Sequence, residues 1–310
     1  MSNLPIISLA AFDQADRAAQ EIQKLYDVCD EHGFFYLQDH GVSAAIVQET
    51  IDASRAFFNL PAEVKGQYGH DVQVVRPNTS RGYIPLYGEI LHKDEGADPK
   101  ESFDLGLERP LSDKFFTGPN IQPDETIAPG FAAAHVTIQE EIMEKITPRL
   151  LRALALALGQ EATFFDEYFT EPILIQRVIH YPSNYSSAGK HTDNGIFTVL
   201  IPEELPSASL RIQTKGEWID IPCLENTFVI NLGDMLQHWT DGQFVSTPHE
   251  VKHTLPVSRL SIPFFVYPNI DAVFTPLGSN KRVSVAEVML KNYDSIWLAG
   301  TGAGRAQELN

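Results

Sequence analysis

Lys190-His191-Thr192-Asp193-Asn194-Gly195-Ile196-Phe197-Thr198-Val199-Leu200 is the stretch from which the fold of this 310-residue chain is read. His191 and Asp193 are one residue apart, so on a strand or at its end they point to the same face. Asn194-Gly195 then turns the chain into the apolar run Ile196 to Ile201. Residues 226–240 alternate apolar and polar positions through Thr227-Phe228-Val229-Ile230-Asn231-Leu232 before reaching Gly233-Asp234, and Asp241-Gly242 marks a turn. Phe244-Val245-Ser246-Thr247-Pro248-His249-Glu250-Val251 reads as another strand, and Arg259-x-Ser261 begins ten residues after His249. These patterns predict a strand-rich carboxy-terminal half in which His191, Asp193 and His249 converge from well-separated strands of one barrel.

Two neutral imidazoles and one carboxylate on a single face of a divalent metal form the facial triad of non-haem Fe(II) oxygenases, with open positions for co-substrate and dioxygen. Three such ligands with no cysteine nearby suit Fe(II) better than structural zinc, which takes four closed ligands and often thiolates. The bland alternative makes them a surface histidine, a turn aspartate and a packed strand histidine; the landmarks around them favour the metal site. Arg259 supplies a fixed cation suited to bidentate capture of a carboxylate.

Further landmarks follow in order. The carboxy-terminal half carries His191-Thr192-Asp193, Asn231-x-Gly233-Asp234, Asp241-Gly242, Ser246-x-x-His249-x-Val251 and Arg259-x-Ser261 with Phe264-Phe265 after it. The amino-terminal half carries Leu4-Pro5-Ile6-Ile7, Gly33-Phe34-Phe35-Tyr36, His40-Gly41-Val42, Phe57-Phe58-x-Leu60-Pro61 and Arg81-Gly82-Tyr83. Over nearly its full length the chain resembles the isopenicillin-N-synthase-like family of Fe(II)/2-oxoglutarate-dependent dioxygenases. One departure lies at 206–212, where Pro-Ser-Ala-Ser-Leu-Arg-Ile replaces the glycine-leucine-glutamine strand start of plant members, with Ser209 in the glycine's place.

The resemblance implies a mostly β fold with flanking helices: a double-stranded β-helix (jelly-roll, cupin-like) barrel core backed by a long helix. Residues 1–120 would form an amino-terminal helix and strand region of the non-haem dioxygenase type and residues 121–310 the oxygenase barrel with its backing helix, folded as one unit. It further implies that His191, Asp193 and His249 hold Fe(II) at the catalytic centre. There 2-oxoglutarate chelates the metal, its distal carboxylate meets Arg259 and Ser261, and Tyr181 reaches it from a neighbouring strand. A barrel-filling aromatic is the alternative for Tyr181. The family's asparagine two residues before that tyrosine is Ile179 here, so one polar contact is missing. Thr198 stands where a small residue lines the pocket, with an ordinary strand threonine as the alternative. Dioxygen is the second co-substrate and ascorbate a candidate reductant. The implied reaction hydroxylates a small molecule with release of succinate and CO2, or desaturates or cyclises it. In isopenicillin N synthase the same arginine–serine pair holds the substrate's carboxylate, so the pair says that a carboxylate binds and leaves open which one.

Composition accords with an enzyme of this kind. A chain with 43% hydrophobic residues can bury a substantial core. A formal net charge of −18 and a pI near 4.9 oppose binding to nucleic acid or to anionic lipid, both of which need basic patches. No apolar run approaches a membrane span, and the start Met-Ser-Asn-Leu-Pro has neither a basic n-region nor an apolar h-region. We therefore expect a cytoplasmic protein acting on a small molecule, a monomer with a weak dimer as the alternative. Cys29 and Cys223 read as packing residues in a reducing compartment rather than a disulfide.

Along the chain, residues 4–9 read as a strand, 14–32 as a helix stopped by Gly33, Gly33 to Leu37 as a strand and 43–58 as a helix. Residues 68–82 and 90–99 are polar loops, and Glu101 to Leu107 is extended. Ile138, Ile142, Ile146, Leu150, Leu151 and Leu154 are spaced for burial in a long helix over 130–159 that backs the barrel. Strands dominate from Ile173 to about Pro268, and Val283 to Trp297 closes as a helix.

Substrate candidates come from loops and aromatics. Arg81, in a segment that covers the mouth of the site in this family, could bind a substrate carboxylate, with Tyr83 packed against it; a solvated arginine and a core tyrosine are the alternatives. Phe197, Trp239 and Phe265 are candidate pocket walls, although aromatics in barrel strands are more often core. Lys100 to Gly106, with Gly118-Pro119-Asn120 after it, is similar to bacterial and fungal members, which favours a small metabolite such as a basic or cyclic free amino acid. Two further readings stand beside the leading one: a 2-oxoglutarate-independent iron oxidase of the isopenicillin N synthase type, and an inactive ligand-binding barrel.

Overall fold

The computed structural model describes residues 4–69, 81–89, 98–183, 186–203 and 209–292. Most of the loop expected over 68–82, most of that over 90–99, the start of the 206–212 departure and the end of the closing helix lie outside the described residues. The amino-terminal elements are β1 (Ile6–Ser8), α1 (Ala18–Glu31), β2 (Phe34–Gln38), α2 (Ala44–Phe58), α3 (Ala62–Lys65), β3 (Gly82–Ile84) and β4 (Glu101–Gly106). Helices α4 (Phe131–Glu141) and α5 (Thr147–Ala157) lead into β5 (Pro172–Tyr181), β6 (Ser186–His191), β7 (Phe197–Pro202), β8 (Leu210–Thr214), β9 (Glu217–Ile221) and β10 (Phe228–Leu232). After α6 (Asp234–Trp239) come β11 (His249–His253), β12 (Arg259–Asn269), β13 (Val273–Phe274) and β14 (Val283–Ser284). Residues 285–292 are helical, so the closing helix starts two residues later than expected.

Local chemistry explains several boundaries. Ser43 caps α2 by accepting a hydrogen bond from the Ala45 N–H at 3.2 Å. The helix expected over 130–159 is present but interrupted, because a wide π turn at Ile142–Ile146 separates α4 from α5. Pro148 has no N–H to give to the preceding turn, and its ring crowds the carbonyl four residues back. The chain widens instead: Thr147 donates both its N–H and its hydroxyl to the Ile142 carbonyl, the latter at 3.0 Å.

Strand order divides the core. One eight-stranded sheet runs β1-β2-β10-β7-β12-β5-β4-β3 and one four-stranded sheet runs β6-β11-β8-β9. They are the two walls of a jelly roll, separate sheets rather than one closed barrel. Strands from the amino-terminal region occupy both ends of the larger sheet. Its outer face, with Phe103, Val178, Phe264 and Val266, packs on Ile138, Ile142, Leu150 and Leu154 of the interrupted helix in the main core. A second cluster, including Phe34, Tyr181, Leu200, Ile212 and Val251, fills the space between the sheets. Period-two alternation assigns each strand its faces: in β12, Leu260, Ile262, Phe264 and Val266 enter the helix-side core, while Ser261, Pro263, Phe265 and Tyr267 face the inter-sheet cavity. Both cysteines are free thiols. Among the described residues no helix is long and apolar enough to cross a membrane.

Candidate active site

The cavity between the sheets, about 390 Å³, contains His191, Asp193 and His249, whose ligand atoms lie within 4.8 Å of one another. The histidines do not come from well-separated strands, as the sequence led us to expect. They end and begin neighbouring antiparallel strands, His191 of β6 directly opposite His249 of β11, with ring centroids 4.3 Å apart. A cross-strand pair is set by register, which spacing along the chain does not reveal. Asp193 lies just past the end of β6, with Oδ1 4.0 Å from His191 Nε2 and 3.7 Å from His249 Nε2.

Each candidate ligand is oriented by a second partner. Nδ1 of His191 lies 2.7 Å from the Gly189 carbonyl and Nδ1 of His249 3.1 Å from the Thr247 carbonyl, which places that N–H on Nδ1 and leaves both Nε2 atoms as acceptors for a metal. Asp193 Oδ2 accepts from Thr198 Oγ1 at 2.5 Å and from Asn231 Nδ2 at 2.7 Å, so Oδ1 is the oxygen turned to the histidines. Burial and the neighbouring His249 push the His191 imidazole down to about 4, keeping it neutral as a metal ligand must be. Burial alone would raise the Asp193 carboxyl, but His249, His191 and the donors Asn231 and Thr198 outweigh it and hold it below the ordinary range.

The loop carrying Asp193 is locked by the segment after β10. Asp234 N–H donates to the Asp193 carbonyl at 2.7 Å, Gly233 N–H to the Ile196 carbonyl at 3.0 Å, and Thr192 Oγ1 to Asp234 Oδ2 at 2.9 Å. A Cβ on Gly233 would overlap the backbone of Gly195, so the two segments can approach only with glycine there. The Asn231-x-Gly233-Asp234 motif thus builds the Asp193 loop, a role not read from the sequence although the residues were visible in it. Thr198, weighed there as a pocket residue, is the second holder of Asp193.

Tyr181 and Ser261 line the same cavity. Arg259 pairs with Tyr181 in the β5–β12 register, and its guanidinium lies 5.3 Å from that ring's centroid. It borders a narrow recess that shares Leu210 with the cavity. Arg259 is 3% exposed, and among the described residues its Nη1 has no hydrogen-bond partner. Among the described residues no carboxylate pairs with it. Arg259 itself is not in the lining of the triad's cavity; a buried cation without a partner is costly, so the recess it borders, next to the cavity at Leu210, fits a carboxylate such as that of 2-oxoglutarate. Two imidazole nitrogens and one carboxylate oxygen, with no thiolate, likewise fit Fe(II).

Of the substrate candidates, Phe265 lines the cavity. Phe197 does not: Thr198 faces the cavity and Asp193, so its neighbour points the opposite way, into the helix-side core. Trp239 lies on α6 and is also core, stacked on Phe274 and edge-on to Phe165 and Tyr168. Arg81 and Tyr83 are absent from the cavity lining. Arg81 is buried over Gly106 and donates to the Phe116 carbonyl at 3.2 Å. Tyr83 donates to Glu101 at 2.5 Å beneath the Lys65 ammonium. The loop arginine expected at the mouth is drawn inward beside the carboxylates of Asp104 and Glu108.

Residues 4–125 match the family described as non-haem dioxygenase in morphine synthesis N-terminal, and residues 171–268 the 2OG-Fe(II) oxygenase superfamily. The 2-oxoglutarate-dependent dioxygenase traH of Penicillium crustosum is 30% identical over 295 residues, covering 89% of this chain and 88% of that protein. Clavatol oxidase claD of the same species is 28% identical, covering 92% and 91%. A 2OG-Fe(II) oxygenase family protein of Caulobacter crescentus superposes with a TM-score of 0.81 at 26% identity, covering 95% of this chain and 100% of that one. A Neurospora crassa protein solved in complex with alpha-KG and thymine shares the fold with a TM-score of 0.81 at 23% identity, over 94% and 96%. With a metal triad and a buried arginine in one jelly roll, and relatives matched over most of its length, this chain belongs to the 2OG-Fe(II) oxygenase superfamily and is an oxidoreductase with Fe(II) and 2-oxoglutarate as its cofactors.

Proposed function

We propose that His191, Asp193 and His249 hold the Fe(II), that Arg259, Ser261 and Tyr181 take the distal carboxylate of 2-oxoglutarate, and that the enzyme hydroxylates a small molecule with release of succinate and CO2. The observation that carries this reading is the Arg259 Nη1, buried and unpartnered among the described residues, at a recess that shares Leu210 with the cavity containing the triad. When bound, the iron and its co-substrate supply the oxidising chemistry. The protein supplies position and dryness. Thr198 and Asn231 turn one oxygen of Asp193 toward the metal, the Gly189 and Thr247 carbonyls fix the two imidazoles, and the apolar second core cluster excludes water from the inner end.

Among the described residues the exposed large apolar side chains are few, namely Leu86, Tyr87, Leu111, Ile127, Val257 and Val273, which supports a monomer. Free Cys29 and Cys223 support a reducing, cytoplasmic setting.

Anaerobic titration of Fe(II)-loaded protein with 2-oxoglutarate tests the reading through the weak visible charge-transfer band that chelation produces. We expect the band in the natural protein and its absence in His191→Ala. Protein that holds iron and shows no band would assign Arg259 to another carboxylate.

A further inference from the structure

Beyond the metal, the larger sheet places a second charged cluster on the cavity wall. Arg177 stands on β5 between the Ile179–Ser261 and Ile175–Phe265 register pairs, and it lines the cavity together with Lys100. Its Nε and Nη2 donate to the two oxygens of Asp104 at 2.7 and 2.8 Å, and its Nη1 donates to Glu89 Oε1 at 2.6 Å. Lys100 Nζ pairs with the other oxygen of Glu89.

A guanidinium carries five N–H donors. Three are used, and among the described residues the second N–H on each of Nη1 and Nη2 meets no acceptor. The Glu89 and Asp104 side chains are 2% and 0% exposed, whereas that of Arg177 is 14% exposed. The carboxylates therefore lie behind the guanidinium, and the cavity meets donors. Two cations and two carboxylates also cancel. Burying four charges in a wall costs several kcal/mol of desolvation for each ion, and apolar side chains would fill the same space without that cost.

Arg177 contrasts with Arg259 on the neighbouring strand. Among the described residues Arg259 has no carboxylate and fits an anion; Arg177 has two and is already neutralised. A ligand carboxylate at Arg177 would add an unbalanced buried charge, while a neutral oxygen acceptor would complete the two unused donors at no such cost. Phe265 and Ile175, one step along the two strands, supply an apolar floor.

We propose that Arg177 is a substrate-binding residue whose two unused N–H groups hold a neutral carbonyl oxygen of a ring-sized apolar substrate lying on Phe265 and Ile175. The proposal rests on the oxygenase reading above and replaces a free amino acid with a neutral carbonyl compound as the substrate class. Arg81, the expected partner of an amino-acid carboxylate, is buried outside the cavity.

The test is anaerobic equilibrium dialysis of the Fe(II)- and 2-oxoglutarate-loaded protein against three matched probes: 1-indanone, indane and indane-1-carboxylate. We expect 1-indanone to bind at least about tenfold tighter than either of the others. Arg177→Lys keeps the charge facing Asp104 and Glu89 but loses the fork, so the preference for 1-indanone should vanish while the 2-oxoglutarate band stays. Equal binding of indane, tighter binding of the carboxylate, failure of all three to bind, or an unchanged preference in Arg177→Lys each overturns the proposal. Should that variant not fold, the affinity order on the natural protein decides. A missing 2-oxoglutarate band would count against the oxygenase reading, whereas the same dialysis repeated without 2-oxoglutarate reports on Arg177 alone.

Discussion

Asn231 touches neither substrate nor co-substrate in our assignment, yet its amide decides which oxygen of Asp193 faces the histidines. Such partners of metal ligands are typically worth about 10- to 100-fold in metal affinity or activity. Asn231→Ala should therefore weaken Fe(II) binding by about that factor with the fold intact, measured by metal retention and circular dichroism; unaltered retention would leave Thr198 as the sole determinant. Arg259→Ala removes the cation proposed to meet 2-oxoglutarate. Loss of one partner of a buried ion pair costs about 3 kcal/mol, so the KM for 2-oxoglutarate should rise about 100-fold, with kcat at saturation mostly kept. A KM change confined to the substrate would reassign the residue. The proposed triad and Arg259 could be named from the sequence because His191-x-Asp193, His249 and Arg259-x-Ser261 stand in an ordered set of family landmarks. Arg177 could not, since its meaning depends on Asp104 and Glu89, 73 and 88 positions away.

At the scale of one element, β12 shows how a strand separates scaffold from site. Phe264 and Phe265 are neighbours in sequence, but the first enters the helix-side core with no exposure and the second lines the cavity. We expect Phe264→Ala to cost about 3–5 kcal/mol of stability. Phe265→Ala should cost about 1 kcal/mol or less and act instead on substrate binding. Urea denaturation of the two variants checks this, and similar losses would contradict the assigned faces. The same parity explains why Phe197 is a core residue and Thr198 a site residue. Apolar periodicity announced these strands. It did not say which side of each would meet the metal, because both faces of the larger sheet are covered and apolar residues occur on each. The helix over 130–159 was legible from its spacing, while the π turn required attention to Pro148.

For the whole molecule, β2 lies between β1 and β10 within the larger sheet, and β4 pairs with β5, so we propose that residues 1–120 and 121–310 unfold together. A single urea transition is expected, and its midpoint should fall with acid. Burial pushes His135, held between Ser54 and Gln176, down to about 3, while the unfolded chain takes up that proton near pH 6.5. Stability from the neutral imidazole is thus complete above about pH 6.5 and is lost as pH falls toward 3, about 2 kcal/mol of it by pH 5. Glu89 acts in the same direction lower down: burial would raise it, but Arg177 and Lys100 hold it at about 2, so its contribution fades as pH drops below its unfolded value. Denaturation at pH 7 and pH 5 should show the fall in the natural protein and a flatter profile in His135→Gln. The sequence by itself carried the strand periodicity of the carboxy-terminal half and, through its resemblance to the Fe(II)/2-oxoglutarate dioxygenases, the jelly-roll class and the proposal of His191, Asp193, His249 and Arg259 as site residues, because periodicity and motifs are local properties of the chain. Only the tertiary structure decided that His191 faces His249 across a strand pair, that Arg81 and Trp239 belong to the interior and that Arg177 reaches the cavity. Those facts depend on register and on contacts between distant segments, which are settled when the sheets pack and each charged or aromatic side chain finds its partner.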